Sequence, residues 1–196
     1  MINKFLCALS VFCFMLSGCA EVDPSTIVID DVGVRHYTIS YLRDKRGQEH
    51  FPVKINGNGN RQFIFDPKGY SWAAYDEAGN RVMTGGASGG KDICEEDGKS
   101  CRTATGVFRV YNKRGPECRS GEYPVETNGG TKMPYCMYFY QGYTIHAAFD
   151  VPYGNASHGC IRVWPSAAKW LNEEFIRVGT QVTVLAYDDE DEVKVQ

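Results

Sequence analysis

The sequence predicts a single, mainly β domain with one packed α-helix, on three observations. Its 21 glycines, 12 tyrosines and 10 phenylalanines favour strands joined by tight turns. Short segments of alternating apolar residues are separated by turn residues throughout the chain. After Pro165, the apolar side chains of Ala167, Trp170, Leu171 and Phe175 share one helical face, and a proline suits a first helical turn.

The elements follow in a regular order. A turn cluster at 56–60 precedes the main domain, and the segments 67–69 and 77–80 are short enough for hairpin connections. Glycine-rich residues 85–90 open a long loop. The predicted strands are residues 35–42, 61–66, 70–75, 81–84, 106–111, 135–145 and 178–187.

The composition excludes several classes of protein. Of the 196 residues, 43% are hydrophobic and 23% are charged, which supports a buried core and excludes collagen-like, coiled-coil and wholly disordered chains. The formal net charge is −3, with 21 Lys and Arg against 24 Asp and Glu. This balance argues against a nucleic-acid-binding protein, which carries an excess of basic residues.

Residues 1–18 have the features of a secretory signal peptide: a basic start, an apolar centre and small residues at the end. The apolar run 5–16 would reach only about 18 Å as a helix, less than the roughly 30 Å hydrocarbon core. Leu-Ser-Gly at 16–18, followed by Cys19, resembles the lipobox of bacterial lipoproteins. That resemblance implies cleavage before Cys19, lipid on its thiol and, because Ala20 follows, transport to the outer membrane. The alternative is an ordinary signal peptide whose cleavage site includes a cysteine.

The rest of the chain divides into three parts. Residues 19–60 are a tether with an N-terminal strand extension, residues 61–187 form the main domain, and residues 188–196 are a solvated acidic tail.

Five of the eight cysteines remain once the signal peptide and Cys19 are set aside, so one thiol stays free. The periplasm is oxidising and favours disulfides in an exported protein, and four cysteines allow three pairings. We favour the local pairs Cys94–Cys101 and Cys118–Cys136, which leaves Cys160 free. A zinc site is the competing interpretation, but these four cysteines lack the spacing of zinc ligands, and we predict no metal.

The segment 157–163 reads Ser-His-Gly-Cys-Ile-Arg-Val, and His146 precedes its cysteine by fourteen residues. A nucleophilic cysteine needs a thiolate, which a nearby imidazole or cation favours. Gly159 lets the backbone approach a substrate, and Arg162 projects to the same side as Cys160 on extended backbone. These features indicate acyl transfer; the alternative is a chance grouping of one cysteine and two histidines.

This segment is similar to the signature of the L,D-transpeptidase (YkuD-like) catalytic domain. The resemblance covers residues 61–187 and implies a β-sandwich or barrel with one packed α-helix. The other matching features are the Ile-His before the segment, Gly154, the strand start at 105–108 and the closing strand at 178–182.

The resemblance also implies a role for each site residue. Cys160 is the nucleophile, His146 is the proton donor and acceptor, and His158 and Arg162 shape the pocket. Backbone N–H groups near Gly159 and Cys160 form the oxyanion hole, and a carbonyl after His146 orients the imidazole.

We further predict that Tyr143, Ala147, Ser157 and Trp164 line the substrate site. The sequence departs from the family pattern at Ala147, where glycine is usual, and in a short interval between His146 and Cys160. Both departures bear on substrate preference more than on chemistry.

The resemblance implies a two-step reaction on peptidoglycan stem peptides, through a cysteine thioester and without a metal or organic cofactor. Together with the signal peptide and the charge balance, it leads us to predict a monomeric enzyme in the periplasm, held by the lipid anchor and with no nucleic-acid partner. Within this enzyme class, the alternatives are a carboxypeptidase or endopeptidase, and an enzyme that attaches lipoproteins to murein or detaches them. From another class, the alternative is a non-catalytic wall-binding or surface interaction lipoprotein. A papain-like or NlpC/P60-like peptidase expects its cysteine before its histidine, and here His146 comes first.

Overall fold

The computed structural model describes residues 27–29, 35–37, 44–96 and 98–188. The predicted signal peptide at 1–18, the predicted lipidation site Cys19 and all but the first residue of the acidic tail at 188–196 lie outside the described residues. Within these ranges, no helix combines the length and hydrophobicity needed to cross a bilayer.

The described ranges contain eleven strands and one main helix. The strands are β1 (Ile27–Ile29), β2 (Arg35–Tyr37), β3 (Gln62–Asp66), β4 (Ser71–Tyr75), β5 (Arg81–Ser88), β6 (Gly106–Arg109), β7 (Asn112–Lys113), β8 (Met137–Tyr140), β9 (Tyr143–Ala147), β10 (Ile161–Val163) and β11 (Gln181–Val184). The helix α1 (Pro165–Trp170) continues as a wider helical turn over Leu171–Phe175, and a short 3-10 turn covers Val125–Thr127.

Strands β3 to β11 form one curled sheet in the order β6-β11-β3-β4-β5-β10-β9-β8-β7, and β1 and β2 form a separate antiparallel pair. Within the large sheet, the pairs β3/β11 and β9/β10 are parallel, and the other pairs are antiparallel. Helix α1 packs against β9. The predicted mainly β fold with one packed helix is confirmed.

The helix buries the face that the sequence predicts. Ala167, Leu171 and Phe175 are all at most 4% exposed and join the cluster that also holds Phe63 and Ile161 from the sheet. Burying a side chain the size of Leu or Phe contributes roughly 1.5–3 kcal/mol, so this contact fixes the sheet around β9 and β10.

Two predicted elements differ in extent. The predicted strand at 135–145 is a hairpin of β8 and β9, because Gln141 and Gly142 adopt φ angles of 40° and 90° and turn the chain. Strand β5 continues through residues 85–88, which we had assigned to a loop. A glycine at 86 leaves the space in which the side chains of Asp44 and Arg46 lie. Strand β10 was not predicted at all.

Residues 44–55 form an N-terminal strap that covers one face of the sheet, although sequence analysis placed them before the main domain. Strand β4 is buried on both faces: Trp72 and Ala74 belong to the main core, while Ala73 and Tyr75 pack with Phe51 of the strap. The Tyr75 hydroxyl donates to the carbonyl of Pro52 at 2.8 Å. The strap is therefore an integral layer of the described domain.

Candidate active site

The parallel pair β9 and β10 brings the predicted site residues together. Their register aligns Arg162 with His146 and Ile161 with Ile145, so aligned residues share a face of the sheet. Ile145 and Ile161 are fully buried in the core. Because side chains alternate along a strand, His146 and Arg162 face the other side, as does Cys160 two residues before Arg162.

This face opens into a cleft of about 1610 Å³. Two loops closed by disulfides contribute to its walls. Cys94 is bonded to Cys101 with a Cα–Cα distance of 5.2 Å, and Cys118 to Cys136 with 6.1 Å. Both separations lie in the normal range for a disulfide. Among the described residues Cys160 has the free thiol, and it lines the cleft with partial exposure.

The Cys160 sulfur lies beside Thr144 of β9. The Thr144 hydroxyl donates to Sγ at 3.5 Å. Burial raises the pKa of the Cys160 thiol, while hydrogen bonds from the Thr144 hydroxyl and backbone, and then the charge of Arg162, lower it in part. The net direction is upward, so the Cys160 thiol is protonated at rest, whereas the sequence predicted a thiolate.

His146 is buried and held in one tautomer. Its Nδ1 lies 2.8 Å from the Ala147 carbonyl, which can only accept, so Nδ1 carries the hydrogen and Nε2 is the basic nitrogen. Burial lowers the pKa of His146 to about 4; the Ala147 contact raises it, and the charge of Arg162 lowers it further. A neutral imidazole at physiological pH is therefore ready to accept the thiol proton.

Ser157 shapes the turn that leads into Cys160. Its hydroxyl donates to the Cys160 carbonyl at 2.5 Å and accepts the Gly159 N–H at 3.1 Å. The resemblance implied an oxyanion hole from N–H groups near Gly159 and Cys160, but the Gly159 N–H is engaged by this buried hydroxyl. We therefore predict that the oxyanion hole uses the Cys160 N–H and not the Gly159 N–H.

Gly159 cannot carry a side chain in this turn. Its φ is +115°, and a Cβ would lie 2.6 Å from Cε1 of the Tyr143 ring. The burial of Tyr143, and then the neighbouring Cys160, raise the pKa of the Tyr143 phenol. Tyr143 therefore lines the cleft as a neutral aromatic wall beside Cys160.

The nucleophile role that the resemblance assigns to Cys160 predicts that Gly159→Ala lowers the rate of Cys160 acylation at least tenfold. The strained backbone costs about 1–3 kcal/mol, and the methyl group pushes the Tyr143 ring into the cleft. Stopped-flow acylation by a penem measures the rate. Gly154→Ala is the matched control, because a Cβ there meets nothing within 4 Å. A Gly159→Ala protein with a rate within twofold of the wild type contradicts this account of the turn.

His158 joins the two disulfide loops across the cleft. Its Nε2 lies 2.8 Å from Oε1 of Glu96, in the Cys94–Cys101 loop. Its ring stacks on Tyr123 of the other loop, with centroids 4.6 Å apart. His158 therefore lines the cleft and contacts both walls, but its imidazole is engaged with Glu96.

Arg162 and Trp164 leave β10 on different paths. Arg162 lines the cleft and pairs with Asp150 at 3.7 Å. Trp164 lies outside the cleft, since its indole N–H donates to Asp44 of the strap at 2.8 Å and its ring packs against the main core. Strand β10 ends at Val163 and Trp164 caps the start of α1, so the prediction that Trp164 lines the substrate site is not met.

Sequence reasoning assigned no role to Thr144, Glu96 or Tyr123. Thr144 could have been found from the period of two along β9, because it precedes His146 by two residues. Glu96 and Tyr123 lie in irregular loops, where no pattern signals their approach to His158. Across the described residues, no group of three or more His, Cys, Asp and Glu side chains could hold a metal ion.

Comparison with known proteins agrees with the fold. Residues 60–184 match the family model of the L,D-transpeptidase catalytic domain, YkuD. An L,D-transpeptidase from Xylanimonas cellulosilytica is 25% identical with a TM-score of 0.55, over 70% of this chain and 66% of that one. One from Mycobacterium smegmatis is 22% identical with a TM-score of 0.53, over 65% and 59%. L,D-transpeptidase 3 from Mycobacterium tuberculosis, solved with a faropenem-derived adduct, is 20% identical with a TM-score of 0.53, over 65% and 60%.

The matched region spans slightly less than two thirds of each of these three solved chains. No curated protein sequence matches the chain significantly. The family model nevertheless covers more than half of the 196 residues, including His146 and Cys160. This chain therefore belongs to the L,D-transpeptidase catalytic-domain family.

Proposed function

We propose that the protein is a peptidoglycan L,D-transpeptidase that joins two stem peptides through a thioester on Cys160. The observation that carries this proposal is that the Cys160 thiol and the neutral His146 imidazole line the same cleft, His146 on β9 and Cys160 directly before the parallel strand β10. Family membership supplies the reaction class, and the residues supply a nucleophile and a base.

In the first step, Cys160 Sγ attacks the carbonyl carbon of the third stem residue, and His146 Nε2 accepts the thiol proton. The bond from that carbonyl to the terminal D-alanine then breaks. The imidazolium donates its proton to the departing amine, so D-alanine leaves as a neutral amine and the acyl group stays on Cys160. The Ala147 carbonyl favours this exchange because it stabilises the charged ring.

In the second step, a side-chain amine of a neighbouring stem attacks the thioester carbonyl. His146 accepts a proton from that amine and returns one to the departing sulfur, which restores the thiol. One amide bond has been broken and one formed, so the reaction needs no oxidant, metal or nucleotide.

Arg162 is suited to hold a substrate carboxylate. Its pair with Asp150 spans 3.7 Å, and the Asp150 side chain is 77% exposed. A long ion pair with an acidic partner this exposed contributes little free energy, so a substrate carboxylate can displace Asp150 at small cost. A third stem residue that has a second carboxyl group, as a diamino dicarboxylic acid does, carries such a group.

We also propose that the protein is an exported lipoprotein of the outer membrane, anchored through Cys19. The two disulfides support an oxidising compartment such as the periplasm. A Cys19→Ala variant should move from the membrane fraction to the soluble fraction of lysed cells. Retention of that variant in the membrane contradicts the anchor.

Purified protein incubated with tetrapeptide muropeptides tests the activity, with products resolved by mass. We expect free D-alanine together with a dimer that joins two stems and lacks one D-alanine. Tripeptide monomer alone would replace the proposal with a carboxypeptidase, in which water is the acceptor. No product and no covalent faropenem adduct would favour a non-catalytic wall-binding protein. Cys160→Ala is the control for background hydrolysis.

A further inference from the structure

Two buried charges lie at the start of the N-terminal strap. The side chains of Asp44 and Arg46 are 7% and 6% exposed, and the guanidinium Nε donates to both carboxylate oxygens at 2.9 and 3.0 Å. Burial alone would raise the pKa of the Asp44 carboxyl, but hydrogen bonds from Arg46 and Trp164 bring it below its ordinary value. The pair, which we call the clasp, therefore remains charged.

The clasp also contacts the loop that follows β9. Arg46 donates to the carbonyls of Val151 and Pro152 at 2.9 and 2.8 Å, and its guanidinium lies 4.3 Å over the ring of Tyr153. Every one of these contacts is with the loop 148–153, which begins the connection from His146 to Cys160.

On its other side the clasp contacts the residue that follows β10. Asp44 accepts the indole N–H of Trp164 at 2.8 Å. Because β9 and β10 are parallel, their C-terminal ends lie side by side. There the Ala148 N–H donates to the Val163 carbonyl at 2.9 Å. The clasp therefore joins the ends of the two strands that position the reacting groups.

The joined elements carry a pair of side chains at the cleft. Asp150 directly precedes Val151, and Arg46 donates to the Val151 carbonyl. Arg162 is two residues before Trp164, and Asp44 accepts the Trp164 indole N–H. Asp150 and Arg162 face each other at 3.7 Å and both line the cleft. Fixing Val151 and Trp164 therefore fixes the backbone beside both charged groups.

We propose that Asp44 and Arg46 are positioning residues that hold the loop 148–153 against Trp164 and thereby set the binding of the stem peptide at Arg162. Both residues precede the region 60–184 that matches the family model. The inference rests on the proposed function for its substrate, but the holding of the loop stands on the contacts alone.

The strap has enough other contacts to remain docked without the clasp. Phe51 packs on Ala73 and Tyr75, His50 pairs with Asp66, and Arg81 donates to the strap carbonyls of Gln48 and Phe51. These contacts involve none of the residues 148–153. Variants of the clasp can therefore loosen the loop while the strap stays in place.

The test uses the double variant Asp44→Asn/Arg46→Met, which leaves no unpaired buried charge and retains an acceptor for the Trp164 indole. We expect its KM for D-alanine release to rise at least tenfold, with kcat within threefold of the wild type. Alkylation of Cys160 by iodoacetamide, which needs no loop contact, should stay within twofold. Amide hydrogen exchange at residues 148–153 should become faster. The single variant Arg46→Lys should have a KM between those of the double variant and the wild type. His50→Ala is the matched control on the strap and should match the wild type in every readout.

An unchanged KM in a folded double variant would overturn the inference, as would unchanged exchange at 148–153. A second result would also overturn it: KM rises while kcat and the rate of alkylation fall by similar factors, and His50→Ala shows the same changes. Such a result indicates general destabilisation. If the wild type releases no D-alanine, the proposed function fails, and hydrogen exchange alone decides the clasp. Faster exchange confined to 148–153 then supports it, and no difference from the wild type rejects it.

Discussion

Cys160→Ala is expected to abolish both D-alanine release and the formation of a covalent faropenem adduct. The described residues hold four other cysteines, all in disulfides, so no second thiol among the described residues can replace Cys160. Loss of a nucleophile in comparable acyl-transfer sites costs a factor on the order of 10⁴ or more. Intact-mass spectrometry after incubation with faropenem measures the adduct, and D-alanine release measures turnover.

The fold should survive this substitution. The Cys160 side chain packs against the cluster of Cys118, Met133 and Cys136, but it is only partly buried. We expect a loss of about 1 kcal/mol in the free energy of unfolding, as is usual for a small truncation. Cys160→Ser is the matched control, since its hydroxyl retains a partner for Thr144. A Cys160→Ala protein that still gains the faropenem adduct contradicts the assignment of the nucleophile.

His146→Gln is expected to lower kcat/KM for acylation by about 10²–10⁴ at pH 7, the usual contribution of a general base. The loss should depend on pH. The pKa of His146 is about 4 and the pKa of Cys160 is raised. At every pH between these two pKa values, the wild type has a neutral imidazole and a protonated thiol. Its rate should therefore be level from about pH 5 upward and fall only as pH drops through 4, where the imidazole becomes charged.

Without the base, only the thiolate reacts. The rate of His146→Gln should then rise about tenfold per pH unit up to the pKa of Cys160, because the thiolate fraction rises by that factor. His158→Gln is the matched control, since it removes an imidazole that is hydrogen-bonded to Glu96. The rate of this variant should stay level with pH, as in the wild type. A wild type that loses activity between pH 7 and 6, as an unperturbed histidine would, contradicts the buried neutral base.

Local patterns predicted the parts of the fold that depend on neighbours in sequence. The turn residues at 67–69 and 77–80 predicted the antiparallel β3, β4 and β5, and Pro165 predicted the start of α1. The hairpin within 135–145 was missed although Gly142 is a turn residue, because Gln141 is not one of the residues, asparagine, aspartate or glycine, that usually precede glycine in a two-residue hairpin turn.

Contacts between distant segments could not be predicted in the same way. The five buried residues of β4 indicate a strand covered on both faces, but nothing in them identifies residues 44–55 as the cover. The chemistry of His146 and Cys160 was readable from residue types and resemblance. Their pKa directions were not, because these depend on burial beside Arg162 that only the parallel pairing of β9 and β10 creates.

The central claim is that a stem peptide becomes covalently attached to one sulfur atom. The most direct measurement is mass spectrometry of the wild-type protein quenched in acid during turnover of a stem tetrapeptide, followed by peptide mapping. We predict an added mass equal to the stem tripeptide acyl group on the peptide that contains Cys160, removed by hydroxylamine and absent from Cys160→Ala. Continued release of D-alanine with no adduct at Cys160, or with an adduct on another residue, would contradict the account.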